Sequence, residues 1–128
     1  MTKRTAYHEA GHAVIGVYRG IRIKEVKVID REGEEDACVV WDHNLDKPQS
    51  EKEMESFVKT FLSGKESQLL YAPETMEYHH GGLDAARASR ILKQSKRHDS
   101  AILYDKWGEE VAELLKSEPF KSLVRQVA

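Results

Sequence analysis

A single cysteine, Cys38, excludes an internal disulfide and fits a reducing compartment, so the expected location is the cytoplasm. Long apolar runs are missing as well. None approaches the ~18 residues that a bilayer-crossing helix needs, and the first residues carry no signal-peptide pattern. Positive charge is not in excess: 20 Lys and Arg face 22 Asp and Glu, a formal net charge of −2, which gives nucleic acid no electrostatic footing. Only 3 Pro and 8 Gly interrupt the chain, and 40% of residues are hydrophobic, a balance unlike disordered or fibrous sequences. No Gly-x-x-x-x-Gly-Lys-Ser/Thr phosphate cradle occurs, and 128 residues leave no room for an ATPase domain. No repeat, linker or low-complexity stretch divides the chain. One domain over 1–128 is expected, of a size that buries roughly two-thirds of its unfolded surface without needing a disulfide or metal merely to fold.

Helical periodicity dominates what is present. Thr2 can cap a first helix running to about Arg19, with Tyr7, Ala10, Val14 and Val17 on one stripe and Gly20 as its stop. Ile21 to Asp30 alternates as a strand, and a slip of phase near Lys24 and Glu25 predicts a bulge. Arg31 to Asp36 contains Gly33 and reads as a turn, with Ala37 to Trp41 returning as the second strand of a hairpin. Ser50 and Glu53 form a capping-box signature for a second helix to about Tyr71. Its apolar stripe is Met54, Phe57, Val58, Phe61, Leu62, Leu69 and Leu70, and Pro73 ends it. A third helix begins near Asp84 and turns Ala88, Ile91 and Leu92 inward. A fourth spans about Asp99 to Lys116, and a short fifth begins near Pro119. Ile91, Leu92, Ile102, Leu103, Leu114 and Leu115 read as core or oligomer contacts. The expected fold class is mainly α, of α+β type: one helix, a small β-hairpin, then a helical bundle.

The informative segment is Thr5-Ala6-Tyr7-His8-Glu9-Ala10-Gly11-His12. On a helix, His8 and His12 project from one face, one turn apart. That spacing lets two neutral imidazole nitrogens reach one Zn²⁺ at about 2.0–2.1 Å. Glu9 is offset by one residue, beside the pair, where it can take a proton from a metal-activated water and pass it to a leaving amine. With 6 His in the chain, shuffling its composition would produce His-Glu-x-x-His in roughly 3% of trials. Gly11 thins the helix between the histidines, so another element or a substrate can come close. Read without a metal, these are two ordinary helix histidines, one paired with Glu9.

A catalytic zinc site needs a third protein ligand and an open fourth position. The candidates are Asp84, His79, His80, His43 and His98. Asp84 follows a Gly-Gly pair and heads a helix, which suits a ligand and a plain helix N-cap equally.

Tyr7-His8-Glu9-Ala10-Gly11-His12-Ala13-Val14 resembles the zinc helix of the FtsH-type (M41) metallopeptidases. The likeness spans about residues 4 to 95. Ile23 to Asp30 falls where that family has the strand after its zinc helix. Phe61-Leu62-Ser63-Gly64-Lys65 resembles its Gly-containing second helix, and Gly82-Leu83-Asp84-Ala85-Ala86-Arg87-Ala88 resembles the segment whose aspartate is the third ligand. The resemblance implies a helical metallopeptidase domain with the zinc helix first. It implies His8, His12 and Asp84 as ligands of Zn²⁺ and Glu9 as general base. The chain departs from the family at Ser67-Gln68-Leu69, where an acidic pair is usual, and at Tyr78, His79, His80 and Gly81 before the aspartate. The family's membrane anchor and hexameric ATPase module have no counterpart in these residues, so ATP-driven processive degradation is not implied.

The expected function is thus a zinc-dependent metalloendopeptidase, ATP-independent by itself, acting on unfolded or loop segments of a protein or peptide substrate. A separate ATPase or adaptor would deliver folded substrates. The alternative is a non-catalytic zinc-containing peptide-binding or regulatory module; a regulatory metallopeptidase cutting a repressor matches fewer segments. His79 and His80 read either as contributors to the site or as solvated loop histidines. Arg87, Arg90, Lys93, Lys96 and Arg97 give the third helix a basic side, which reads as a solvated face. Trp41 reads as core or as the wall of a peptide groove, and the strand edge could pair with an extended peptide.

Overall fold

Thr2 starts the first helix: its side-chain oxygen accepts a hydrogen bond from Thr5 N at 3.2 Å. In the computed structural model, which describes residues 2–31, 34–76 and 82–128, this helix is α1 (Lys3–Tyr18). It ends at Arg19, and Gly20 adopts the left-handed φ of +86° that sends the chain into the hairpin.

Strands β1 (Ile23–Arg31) and β2 (Glu34–Trp41) pair antiparallel, with Val26 opposite Val39 and Ile23 opposite Trp41. The register shifts between Ile23 and Glu25, where the alternation of the sequence slips. The ladder is longer than expected. Arg31 pairs with Glu34, so most of the segment read as a turn is strand; Gly33 lies outside the described residues. Backbone pairing satisfies N–H and C=O groups whatever side chains a hairpin carries, so charged composition was a poor guide to its length.

Helix α2 (Glu51–Tyr71) is capped by Ser50, which accepts from Glu53 N at 3.1 Å. The Glu53 carboxylate reaches back to Gln49 N at 2.9 Å rather than to Ser50 N, so the capping box closes one residue early. Met54, Phe57, Val58, Phe61 and Leu62 are buried as the stripe predicted, whereas Leu69 is 48% exposed. The helix buries a second face instead, made of Ser56, Thr60, Ser63, Ser67 and Gln68. A short 3-10 turn (Pro73–Thr75) follows, then α3 (Gly82–Gln94), α4 (Ser100–Lys116) and α5 (Phe120–Val127). The fold is mainly α with one small hairpin.

Two apolar clusters hold these elements. One joins Ile21, Leu45 and the apolar face of α2 to Ala88, Ile91 and Leu92 of α3 and to Leu103 and Trp107 of α4. The other joins Ala10, Val14 and Ile15 of α1 to Val111 and Leu115 of α4 and to Phe120 and Val124 of α5. In α4 the inward residues are Leu103, Trp107, Val111 and Leu115, an i, i+4 row. Ile102 falls about 100° off that row and is 70% exposed, and Val17 of α1 is exposed too, so neither is core. Between helices, Glu55 takes Arg19 Nη2 at 2.8 Å and Lys59 Nζ at 3.2 Å, and Lys59 goes on to Glu110 at 2.7 Å, linking α1, α2 and α4. Among the described residues, no helix is long and apolar enough to cross a membrane.

Two outcomes test this packing. Leu115→Ala, at a fully buried position, should cost about 2–5 kcal/mol in urea unfolding, while Leu69→Ala should stay within about 0.5 kcal/mol. Burial alone would raise the Glu55 carboxyl, but Lys59 and Arg19 outweigh it and hold the carboxyl below its usual range. A depressed folded-state value means stability that is present above the ordinary glutamate range and lost as pH falls through the folded value. Glu55→Gln should therefore weaken the protein near neutral pH and flatten the acid limb of its stability profile, as read by thermal melts from pH ~3 to ~7.

Candidate metal centre

Helices α1 and α2 lie against each other in opposite senses: Tyr7 O accepts from Ser67 Oγ at 2.7 Å, and Arg19 Nε donates to Ser56 Oγ at 3.1 Å. Between these contacts the two helices touch through glycine. A Cβ on Gly11 would overlap the Ser63 carbonyl oxygen and the Ser67 side chain. A Cβ on Gly64 would overlap His12 and lie 2.7 Å from His8 Nε2. The element that Gly11 admits is therefore α2, and Gly64 in turn leaves the space that both imidazoles fill.

The two rings stand edge to face, 4.8 Å between centroids. His12 Nδ1 lies 2.7 Å from the Thr60 carbonyl oxygen, and His8 Nδ1 lies 3.1 Å from Gln68 Oε1. A carbonyl oxygen can only accept, so each Nδ1 carries the hydrogen, and each neutral ring turns the lone pair of its Nε2 the other way. Both lone pairs meet one atom of α3: Asp84 Oδ2 is 3.1 Å from His8 Nε2 and 2.9 Å from His12 Nε2. Asp84 is the third residue of α3, inside its first turn, so the N-cap reading fails and the carboxylate points into the cluster.

Three acceptors facing one another repel unless a proton or a cation lies among them. Burial opposes charge on Asp84, but with protons on the Nε2 atoms, hydrogen bonds from His12 and His8 overcome it and hold the carboxyl far below the usual carboxylate range. Burial likewise opposes protonation of His12, and the Asp84 carboxylate, with a further contribution from Glu9, outweighs it and raises the imidazole. A divalent cation answers the same demand with two charges. The ligand atoms lie within 4.8 Å of one another. The two observed N···O spacings are close to the ~3.3 Å edge of a tetrahedron with bonds near 2.0 Å. Two imidazole nitrogens and a carboxylate oxygen are a donor set that suits Zn²⁺. The side chains of His8, His12 and Asp84 keep 16%, 9% and 20% exposure, so among the described residues the cluster is largely covered but not sealed.

Glu9 stands one residue along α1 from the pair and is not in the three-residue cluster. It is half-buried with Oε2 shielded from solvent, and its charge is felt at His12. His43 and His98 are exposed and outside the cluster, and His79 and His80 lie outside the described residues. On the basic side of α3, Arg87 covers the Phe61 ring at 5.9 Å and Arg97 pairs with Asp99 and Glu51, while Arg90 and Lys93 are exposed. Trp41 packs its ring on Gly16 and against the larger core cluster, so it belongs to the core. Thr60, Gly64 and Gln68 were not singled out as site residues from the sequence. The visible trace of them was the row of small residues Ser56, Thr60, Ser63, Gly64 and Ser67 at helical spacing.

Gly64→Ala should displace both imidazoles and lower Zn²⁺ affinity by about tenfold or more in competition with a chromophoric chelator. The overpacking itself should cost about 1–3 kcal/mol, so the helical circular dichroism signal should persist.

In comparisons with known proteins, no family model and no curated protein matches the chain. The chemistry of the cluster is therefore the ground for a functional reading.

Proposed function

We propose that the chain is a zinc-dependent metalloendopeptidase of the FtsH type, hydrolysing peptide bonds in unfolded or loop segments. The observation that carries this reading is the convergence of His8 Nε2, His12 Nε2 and Asp84 Oδ2, with each imidazole backed on its far side by a carbonyl oxygen. These three residues would hold the ion. Bound Zn²⁺ supplies Lewis acidity toward a carbonyl and brings the pKa of a water down to roughly 7.

The remaining work falls to the chain itself. Glu9 accepts a proton from the attacking water, and the water oxygen joins the scissile carbonyl carbon. As the C–N bond breaks, Glu9 returns the proton to the departing amine nitrogen. A carboxylate with one shielded oxygen, seated on the same rigid helix as the histidines, can do this without a loop movement. The cluster is recessed between α1, α2 and α3, which favours an extended backbone over a folded surface. Folded substrates would need a separate ATPase or adaptor. A reducing cytoplasm is the proposed compartment, supported by the lone Cys38. Gln68, where the chain departs from the family pattern, is a hydrogen-bond partner of His8.

Zn²⁺-loaded protein should bind one ion per chain and cleave casein. Glu9→Gln should keep the ion and lose activity by about 10²–10⁴-fold. Cleavage that survives in Glu9→Gln, or loading unaffected by both His12→Ala and Asp84→Ala, would overturn the proposal.

A further inference from the structure

Gln68 stands where the likeness to the peptidase family would lead one to expect an acid, yet it is 1% exposed and hydrogen-bonded at both ends of its amide. We infer that Gln68 is a positioning residue for His8, that Thr75 sets the orientation of its amide, and that an amide rather than a carboxylate is required there. The inference rests on the metal-site reading above.

The argument starts at the far end of the chain of contacts. Thr75 Oγ1 donates its one hydrogen to Ala72 O at 2.6 Å, which leaves it only lone pairs to offer other groups. The Gln68 amide nitrogen lies 3.2 Å from that Oγ1 and 3.4 Å from the Thr75 carbonyl oxygen, two acceptors. Only the NH₂ end of the amide fits against them, so Oε1 faces His8. His8 must then place its hydrogen on Nδ1, and its Nε2 lone pair turns toward Asp84. The direction of every hydrogen bond follows from Thr75 inward: Thr75 to Ala72, Gln68 to Thr75, His8 to Gln68.

A glutamate at 68 would reverse the sense of this relay. One carboxylate oxygen could still accept from His8, but the other would press a negative charge on two acceptors at a buried position. The same neutrality has a chemical effect. An amide oxygen draws less on the Nδ1 proton than a carboxylate does, so His8 is a weaker donor and a bound cation keeps more of its Lewis acidity.

The test reads His8 directly. In metal-free Asp84→Ala protein, where no carboxylate competes for a hydrogen on Nε2, ¹⁵N shifts at about pH 9, above the ordinary imidazole range, should show His8 as the Nδ1–H tautomer. Adding Gln68→Leu or Thr75→Val to that background should weaken the preference toward a mixture, and with Asp84 in place Gln68→Leu should lower Zn²⁺ affinity by about 10–100-fold. Gln68→Glu should not rescue it. A residue that merely fills space would lower the melting temperature without moving the tautomer. An Nε2–H tautomer in Asp84→Ala protein, a His8 spectrum that Thr75→Val leaves unchanged in that background, or full zinc affinity in Gln68→Glu would overturn the inference. Thr75→Val keeps the test decisive if the substitutions at 68 fail to fold. Because the tautomer is read without metal, its appearance together with an unmodified chain that takes up no Zn²⁺ would sink the peptidase reading and not this one.

Discussion

The close approach of α1 and α2 at Gly11 and Gly64 is the constraint on which the rest of the molecule depends. Each glycine makes room for the other helix: Gly11 for the backbone and Ser67 of α2, Gly64 for the imidazoles of α1. At any larger separation the histidines would lose Thr60 O and Gln68 Oε1, and with them the hydrogen positions that turn both Nε2 atoms inward. The interface is built from small polar residues because only short side chains permit that spacing. Its stability comes from the apolar clusters on either side of it.

This division of labour explains what could and could not be read from the chain. Caps and breaks are local, so Thr2, Ser50, Gly20 and the slip at Ile23–Glu25 were visible before any tertiary contact was known. The apolar stripe of α2 was visible through Leu62 and then misled. Leu69 is exposed because Ser67 and Gln68 claim the buried side at that level of the helix. Hydrophobic periodicity detects a greasy face and passes over a buried face made of Ser, Thr and Gly. Ile102 is the converse case, an apolar residue that the i, i+4 row of α4 leaves in solvent. In the site, the shared face of His8 and His12, with Glu9 beside it, was legible from spacing alone. Asp84 was balanced between ligand and cap; its place inside the first turn of α3 removes the cap reading, and its contacts set it against both imidazoles. Thr60 and Gln68 act across helices, and Thr75 acts through Gln68, and no local pattern announces such a partnership.

Magnitudes separate the two ways of reconciling the three acceptors. A buried ion pair between His12 and Asp84 recovers little beyond its own desolvation. Structural zinc held by Cys and His in zinc-finger peptides contributes on the order of 10–16 kcal/mol at neutral pH, the scale against which a bound ion here would be set. A cluster whose outer hydrogen bonds already orient its lone pairs captures most of that gain, since no reorganisation is required when the ion arrives.

Asp84 lies 72 residues beyond His12 in the chain and reaches it only once α3 has docked on α2 through Ala88, Ile91 and Leu92. On the proposed peptidase function, the amino-terminal half emerges during synthesis with two ligands and the base but without the carboxylate that completes the set. A growing chain of this kind is surrounded by unfolded polypeptide, its own included, which is the material it would cut. Splitting the centre between the first helix and the third would then delay hydrolytic competence until the protein's own segments are packed away, a latency set by the order of synthesis.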